Sequence, residues 1–352
     1  MTELTMPAAV YRGPDDVRLE AVPVPRPGPQ EILVRVRACG VCGTDLKKIR
    51  YGLQAPPRVF GHEIAGVVEE VGAGVETWSP GDRVVVYHHV PCELCHFCRA
   101  GAFAQCHQYK RTGTTAGFEP AGGGFARYVR VMDWVVERGV QRIPGHVSDD
   151  EAAFVEPVNT CLKGVQRSGA RAGDVALVVG QGQIGLLFTQ LLRLAGAFVV
   201  AADPLAERQA VARALGANDV VGAEPGAQAD AARRHTEGRG ADVAVLTVAG
   251  AGPVREALDG VRPGGRVVLF AHTLPGDPVE VDAGEICVRE KDLIGSYSSD
   301  VTLNDEAARL VFERAINVRD LVTHRFPLAE IARALDIAAA PRSGSLKVMV
   351  LP

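Results

Sequence analysis

Four cysteines fall within fifteen residues, at Cys92, Cys95, Cys98 and Cys106. Four thiolates at that spacing close a tetrahedron around Zn²⁺ and leave no position for a substrate, so such a site braces a loop and performs no chemistry. A disulfide knot or an iron–sulfur cluster would use the same residues. Met1–Val10 lacks the basic start and apolar stretch of a secretory signal, which points to a cytoplasmic chain and away from the knot. The close spacing favours zinc, with iron left open. A second set is dispersed: Cys42 in Gly40-Val-Cys-Gly-Thr-Asp45, His62 in Gly61-His-Glu63 and Glu156 in Val155-Glu-Pro157. Taken singly these are weak, because a lone histidine in a turn is more often a satisfied polar group than a ligand.

A third group binds no metal. Val175-Ala-Leu-Val-Val179 leads into Gly180-Gln-Gly182-Gln183-Ile184-Gly185 and then an amphipathic stretch, the strand, turn and helix that a dinucleotide fingerprint needs. Gly180 allows the tight turn, Gly182 lets backbone approach a pyrophosphate at the helix N-terminus, and Gly185 allows close helix–strand packing. Asp203, 23 residues after Gly180, ends the next apolar run and is placed to bind the adenosine ribose hydroxyls. Its charge would repel a 2′-phosphate, so NAD is expected over NADP. Arg208 either touches the adenosine end or is a solvated helix charge.

These residues need rigid elements to hold them. A chain of 352 residues exceeds one ordinary core, so about two domains are expected. The first third alternates β-rich runs with glycine and proline breaks (Glu31–Arg37, Glu63–Glu69, Arg83–Tyr87, Tyr128–Val131), which reads as a small β-rich domain. From about residue 159 strand, turn and helix repeat through Val175–Val179, Phe198–Ala202, Val243–Leu246 and Arg266–Phe270, a parallel α/β sheet. Ile184, Leu187, Phe188, Leu191, Leu194 and Ala195 form one helical core stripe, and Gly122-Gly-Gly124 reads as a flexible loop. Leu303–Ile316 and Leu328–Ala338 read as helices, and the closing strand Leu346–Val350 can return to the first domain. Cys39, Cys161 and Cys287 read as buried small side chains. With 38 Lys+Arg against 42 Asp+Glu, nucleic-acid binding has no support, and the most apolar stretch, Ile184–Ala202, is too polar to span a membrane.

In order, Cys-Gly-Thr-Asp, Gly-His-Glu with Gly66 and Gly72, the four-cysteine lobe and the glycine fingerprint resemble the zinc-dependent medium-chain dehydrogenases over essentially the whole length. The Glu-Pro pair at Glu156 is similar to the sorbitol and threonine dehydrogenase branch. The resemblance implies an α/β fold: a discontinuous GroES-like catalytic domain, 1–158 completed by 297–352, and a Rossmann NAD-binding domain, 159–296, with the chemistry in the cleft between them. It implies a catalytic Zn²⁺ on Cys42, His62 and Glu156, a structural Zn²⁺ on the four-cysteine lobe, and Thr160 beside the nicotinamide. Cys161 is a rival third ligand, and Glu63 is either support for His62 or a ligand that swaps with water.

The implied activity is oxidation of a secondary alcohol of a polyol or sugar, with hydride passing to NAD and the hydroxyl proton to Thr44. Where many relatives carry a relay histidine this chain has Lys47, which can relay only with a depressed pKa and otherwise contacts cofactor or substrate. Sorbitol dehydrogenases are expected to show an Arg-Tyr pair where this chain reads Ser296-Tyr-Ser-Ser299, which makes sorbitol itself doubtful. An L-threonine dehydrogenase is the second reading, and a non-catalytic dinucleotide-sensing zinc protein the third. A zinc-free quinone reductase would lack both cysteine sets. A small-molecule alcohol is the expected partner, with a homodimer or homotetramer as the expected assembly.

Overall fold

Alternation of buried and exposed positions builds the first sheets. Tyr128–Val131 runs half-buried, buried, half-buried, buried, as a strand covered on one face should. The structure, a computed structural model, describes residues 4–87, 90–108, 122–274, 276–340 and 344–352. The chain divides into two units, Met1–Asn159 with Ser298–Pro352, and Thr160–Tyr297.

In the first unit a seven-stranded sheet runs in the order Val322–Pro327, Lys347–Leu351, Ile32–Gly40, Glu63–Val71, Arg83–Val86, Val140–Arg142, and Tyr128–Val131 also pairs with Ile32–Gly40. The closing strand pairs antiparallel with it, Met349 opposite Gly40 and Val350 opposite Cys39. The last residues thus sit beside Gly40 and, across it, Glu63. A smaller sheet joins Asp16–Pro23, Thr5–Gly13 and Arg58–Val59. Valines, isoleucines and the rings of Tyr11, Phe60 and Phe125 fill the core of this unit.

The second unit is one six-stranded sheet, ordered Asp219–Val221, Phe198–Ala202, Val175–Val179, Ala241–Leu246, Val261–Leu269, Asp292–Gly295, with every neighbouring pair parallel. The strand order reverses direction at Val175–Val179, and crevices at such switch points receive ligands in open parallel sheets. The α/β class expected from the sequence is the one adopted. Among the described residues no helix is long and apolar enough to cross a membrane.

Several local expectations are corrected. Gly122, Gly123 and Gly124 are buried, and a Cβ on Gly123 would lie 2.4 Å and 2.5 Å from the carbonyl oxygens of Val59 and Phe60, so this run is packed rather than flexible. Helix Gln183–Leu194 is buried throughout Gly185–Leu192, wider than a stripe, while its last residue, Leu194, is 55% exposed. Cys287 is exposed on the short helix Ala283–Val288, which buries none of its residues, whereas Cys39 and Cys161 are buried. The expected helix to Ile316 ends earlier, at Phe312, and strand Val322–Pro327 lay unread in the same stretch.

Gly180 has φ +90°, and a Cβ on Gly185 would overlap the Gly180 carbonyl oxygen. Gly185→Ala is therefore expected to lower stability by about 1–3 kcal/mol, read by denaturant titration, because backbone cannot move aside as a flexible side chain can. A shift below about 0.5 kcal/mol would contradict the packing.

Candidate active site

The dispersed donors meet where the strands Ile32–Gly40 and Glu63–Val71 pair. Two residues past Gly40, Cys42 caps the helix Gly43–Arg50. Its Sγ accepts the Thr44 N–H at 3.5 Å, and the Asp45 carboxylate accepts the Cys42 N–H at 3.3 Å. Asp45 is fully buried, and its other oxygen lies 3.2 Å from His62 Nδ1. This bond orients the ring and leaves Nε2 to face a metal.

Successive strand residues point to opposite faces, which would part His62 from Glu63. His62 precedes the strand, following Gly61 at φ +93°, and that turn brings both donors to one side. A sulfur of Cys42, a ring nitrogen of His62 and a carboxylate oxygen of Glu63 all lie within 4.8 Å of one another. Glu156, the third ligand implied by the resemblance, is buried but is not one of those three donors. Burial raises the Glu63 carboxyl, Lys347 and His62 oppose the rise, and Glu156 adds to it. Cys161 is buried in helix Val155–Ser168 and belongs to neither donor cluster.

The donor set fits a divalent cation. Cys42, Asp45 and Glu63 surround one imidazole, and an ammonium, Lys347, pairs with Glu63. A cysteine sulfur, an imidazole and a carboxylate are the donor types that zinc takes. Burial opposes protonation of His62, but Asp45 and Cys42 outweigh it and push the imidazole well above its ordinary value. Thr44 is half-buried on the same helix, one turn before Lys47. Burial lowers Lys47, with Cys42 pulling the other way, which is the direction a relay requires.

In the other cluster, the sulfurs of Cys92, Cys95, Cys98 and Cys106 lie within 4.8 Å of one another. Cys95 and Cys98 are 3.5 Å apart and Cys92 and Cys98 4.0 Å apart. A tetrahedron with Zn–S bonds of about 2.3 Å has edges of about 3.8 Å, whereas a disulfide would be near 2.05 Å. The backbone N–H of Cys98 leads the interactions that pull the Cys95 thiol down to about 6. All four are free cysteines, and the arrangement suits a structural zinc.

At the glycine turn, Gln181 is fully buried, donating to the Val178 carbonyl and accepting from the Thr189 hydroxyl, each at 3.0 Å. Asp203 accepts the N–H of Gln181 at 2.7 Å and of Leu205 at 2.9 Å, with Arg208 at 3.8 Å. The remaining lone pairs of the carboxylate are what a ribose could use. A Cβ on Gly182 would meet only the Arg208 guanidinium, 3.9 Å away. The protein alone does not require glycine there, but a pyrophosphate against the helix N-terminus would. Gln183 Oε1 is buried without a hydrogen-bond partner, and Ile184 is half-buried beside it. An orphaned acceptor and an open backbone face both fit a dinucleotide. Thr160 is buried, and the Ser296 hydroxyl is buried without a partner.

Two residues of the site escaped the sequence reading. Asp45 had a local signal, since an acid three residues after Cys42 is the capping-box position that reaches back to it. Lys347 had a plainer signal: a lone charge inside the apolar run Leu346–Val350.

The chain matches two family models, "Alcohol dehydrogenase GroES-like domain" over residues 28–140 and "Zinc-binding dehydrogenase" over residues 184–313. It is 30% identical to human sorbitol dehydrogenase over 335 residues, covering 93% of this chain and 91% of that one. It is also 30% identical to L-threonine 3-dehydrogenase of Symbiobacterium thermophilum over 343 residues, covering 95% and 94%. A crystal structure from Sinorhizobium meliloti 1021, bound to NADP and named only provisionally as a zinc-binding dehydrogenase, superposes with TM-score 0.88 at 32% identity. That match covers 99% of this chain and 100% of the other.

Because the metal must displace a proton from His62, uptake by the metal-free protein is expected to release protons, and affinity to fall as pH falls. Calorimetry in two buffers of different ionisation enthalpy reads the release. Identical heats in both would contradict it.

Proposed function

The chain belongs to the zinc-binding medium-chain alcohol dehydrogenases, and from that premise we propose that it oxidises a secondary alcohol of a polyol or sugar with NAD. As a member of that family it is an oxidoreductase using zinc and a nicotinamide dinucleotide. The observation that carries the reading is the convergence of Cys42, His62 and Glu63. A sensor needs a cofactor pocket but has no use for a second, mixed donor set.

Zinc, when bound, supplies a Lewis acid, and the dinucleotide supplies a hydride acceptor. The chain's own residues do the rest. Cys42 and His62 would hold the metal, with Glu63 as the third donor favoured by the geometry and Glu156 acting on the Glu63 carboxyl by its charge. Asp45 fixes the imidazole through Nδ1. Thr44, whose hydroxyl can both accept and donate, takes the proton of the alcohol, and Lys47, one turn along the helix, carries it onward. Gly180, Gly182 and Gly185 shape the turn for a pyrophosphate, with Gln183 Oε1 as an acceptor for the cofactor and Thr160 beside the nicotinamide. The Cys92–Cys106 cluster holds the structural zinc.

Asp203 supports NAD. Its carboxylate is buried and anchored by two backbone N–H groups, so it cannot swing away from a 2′-phosphate. Like charges so placed cost several kcal/mol. The relatives also carry an amino-alcohol alternative, an L-threonine dehydrogenase.

The test is NADH formation, followed by absorbance, across polyols, sugars and amino alcohols. Turnover of a polyol or sugar is expected. Turnover of L-threonine alone favours the alternative, and none at all while both metals and NAD bind favours a sensor. Cys42→Ala is expected to lower bound zinc from about two to about one per chain and to abolish turnover. Unchanged zinc would overturn the metal assignment. Asp203→Ala is expected to raise kcat/KM with NADP by at least about tenfold, ~1.4 kcal/mol of repulsion removed.

A further inference from the structure

Lys347 and Glu63 form an ion pair in which both side chains are fully buried. The ammonium also donates to the Val41 carbonyl at 3.2 Å, next to Cys42, and lies 5.7 Å from the centre of the Phe154 ring. The pair occupies space that Gly40 leaves vacant. Gly40 stands opposite Glu63 in one pairing and opposite Met349 in the other. Lys347 lies two positions before Met349 and so on the same face. A Cβ on Gly40 would overlap Glu63 Oε2 and lie 2.5 Å from Lys347 Cε. Burying two charges in this way contributes little net stability, so the pair calls for another role.

Glu63 Oε2 faces Lys347, while a Glu63 carboxylate oxygen also lies within 4.8 Å of the donor atoms of Cys42 and His62. We propose that Lys347 is a positioning residue of the metal site: it holds one oxygen of the Glu63 carboxylate, so that Glu63 would be a half-neutralised donor to a metal held by Cys42 and His62. The Val41 contact ties the same ammonium to the backbone that carries Cys42, so one side chain sets two donors at once. The inference rests on the proposed function only in taking Cys42 and His62 as metal donors.

Without Lys347, the Glu63 charge turns wholly to the metal. In Lys347→Met, chelator-driven release of the metal held by Cys42 and His62 is expected to slow by about tenfold or more. The visible absorption of the cobalt-substituted protein is expected to weaken as the coordination number rises, and kcat to fall more than KM changes. Lys347→Arg, which keeps the charge, is expected to restore all three. Release as fast as in the parent, or faster, with an unchanged cobalt spectrum, overturns the proposal. Should Lys347→Met fail to fold, Gly40→Ala decides: it keeps both charges but displaces the pair, and parent-like release and spectrum from that variant overturn the proposal equally. The zinc content of Cys42→Ala separates the two levels. If that variant keeps both metals, the metal reading fails. If it loses one while the Lys347 and Gly40 variants behave as the parent, only this inference fails.

Discussion

The gathering of buried ionisable side chains from distant segments is the constraint on which the site depends. Asp45 and Glu63 are fully buried around His62, and half-buried Cys42 adds a sulfur at a helix N-terminus. Charges in a low-dielectric interior must be paired, or else protonated. The pairing draws on widely separated parts of the chain: a helix cap at Cys42, a turn at Gly61, a strand start at Glu63 and the C-terminal strand at Lys347. The β-rich unit is the frame that brings them together.

The glycine turn in the other unit answers a different demand with the same economy. Its conformation is set by contacts of protein with protein: Gly185 against the Gly180 carbonyl, Gln181 locked by Val178 and Thr189, Asp203 clasping the Gln181 N–H. The turn is thus formed before any ligand arrives, and pre-organisation of that kind lowers the ordering cost of binding. Gly182 and Gln183 Oε1 are the two features the protein itself leaves unused.

The two metal clusters differ in the way their chemistry requires. Four cysteine sulfurs from one short segment, two pairs of them 3.5 Å and 4.0 Å apart, offer one kind of donor. One thiolate, one imidazole and one carboxylate, gathered from residues 42, 62 and 63, leave room for a fourth partner. Close spacing made the first cluster legible from the sequence. The second was legible only through a family resemblance, because no local rule links Cys42 to His62.

What the sequence determined by itself is what short-range physics controls. Strands Val175–Val179 and Phe198–Ala202 were read at their observed bounds because a continuous apolar run between turn residues has few alternatives. The cysteine lobe and the glycine turn were legible for the same reason. The hairpin of Thr5–Gly13 and Asp16–Pro23 was not, since its polar residues and prolines mask the alternation that tertiary packing imposes. Only the tertiary structure shows that Glu63 lies within 4.8 Å of the Cys42 and His62 donors, that Gly122–Gly124 is packed, and that Lys347 pairs with Glu63. The physical reason is common to all three. Each depends on which strand lies beside which or on the direction a backbone turns at Gly61, and contacts between segments distant in sequence leave no trace in local periodicity.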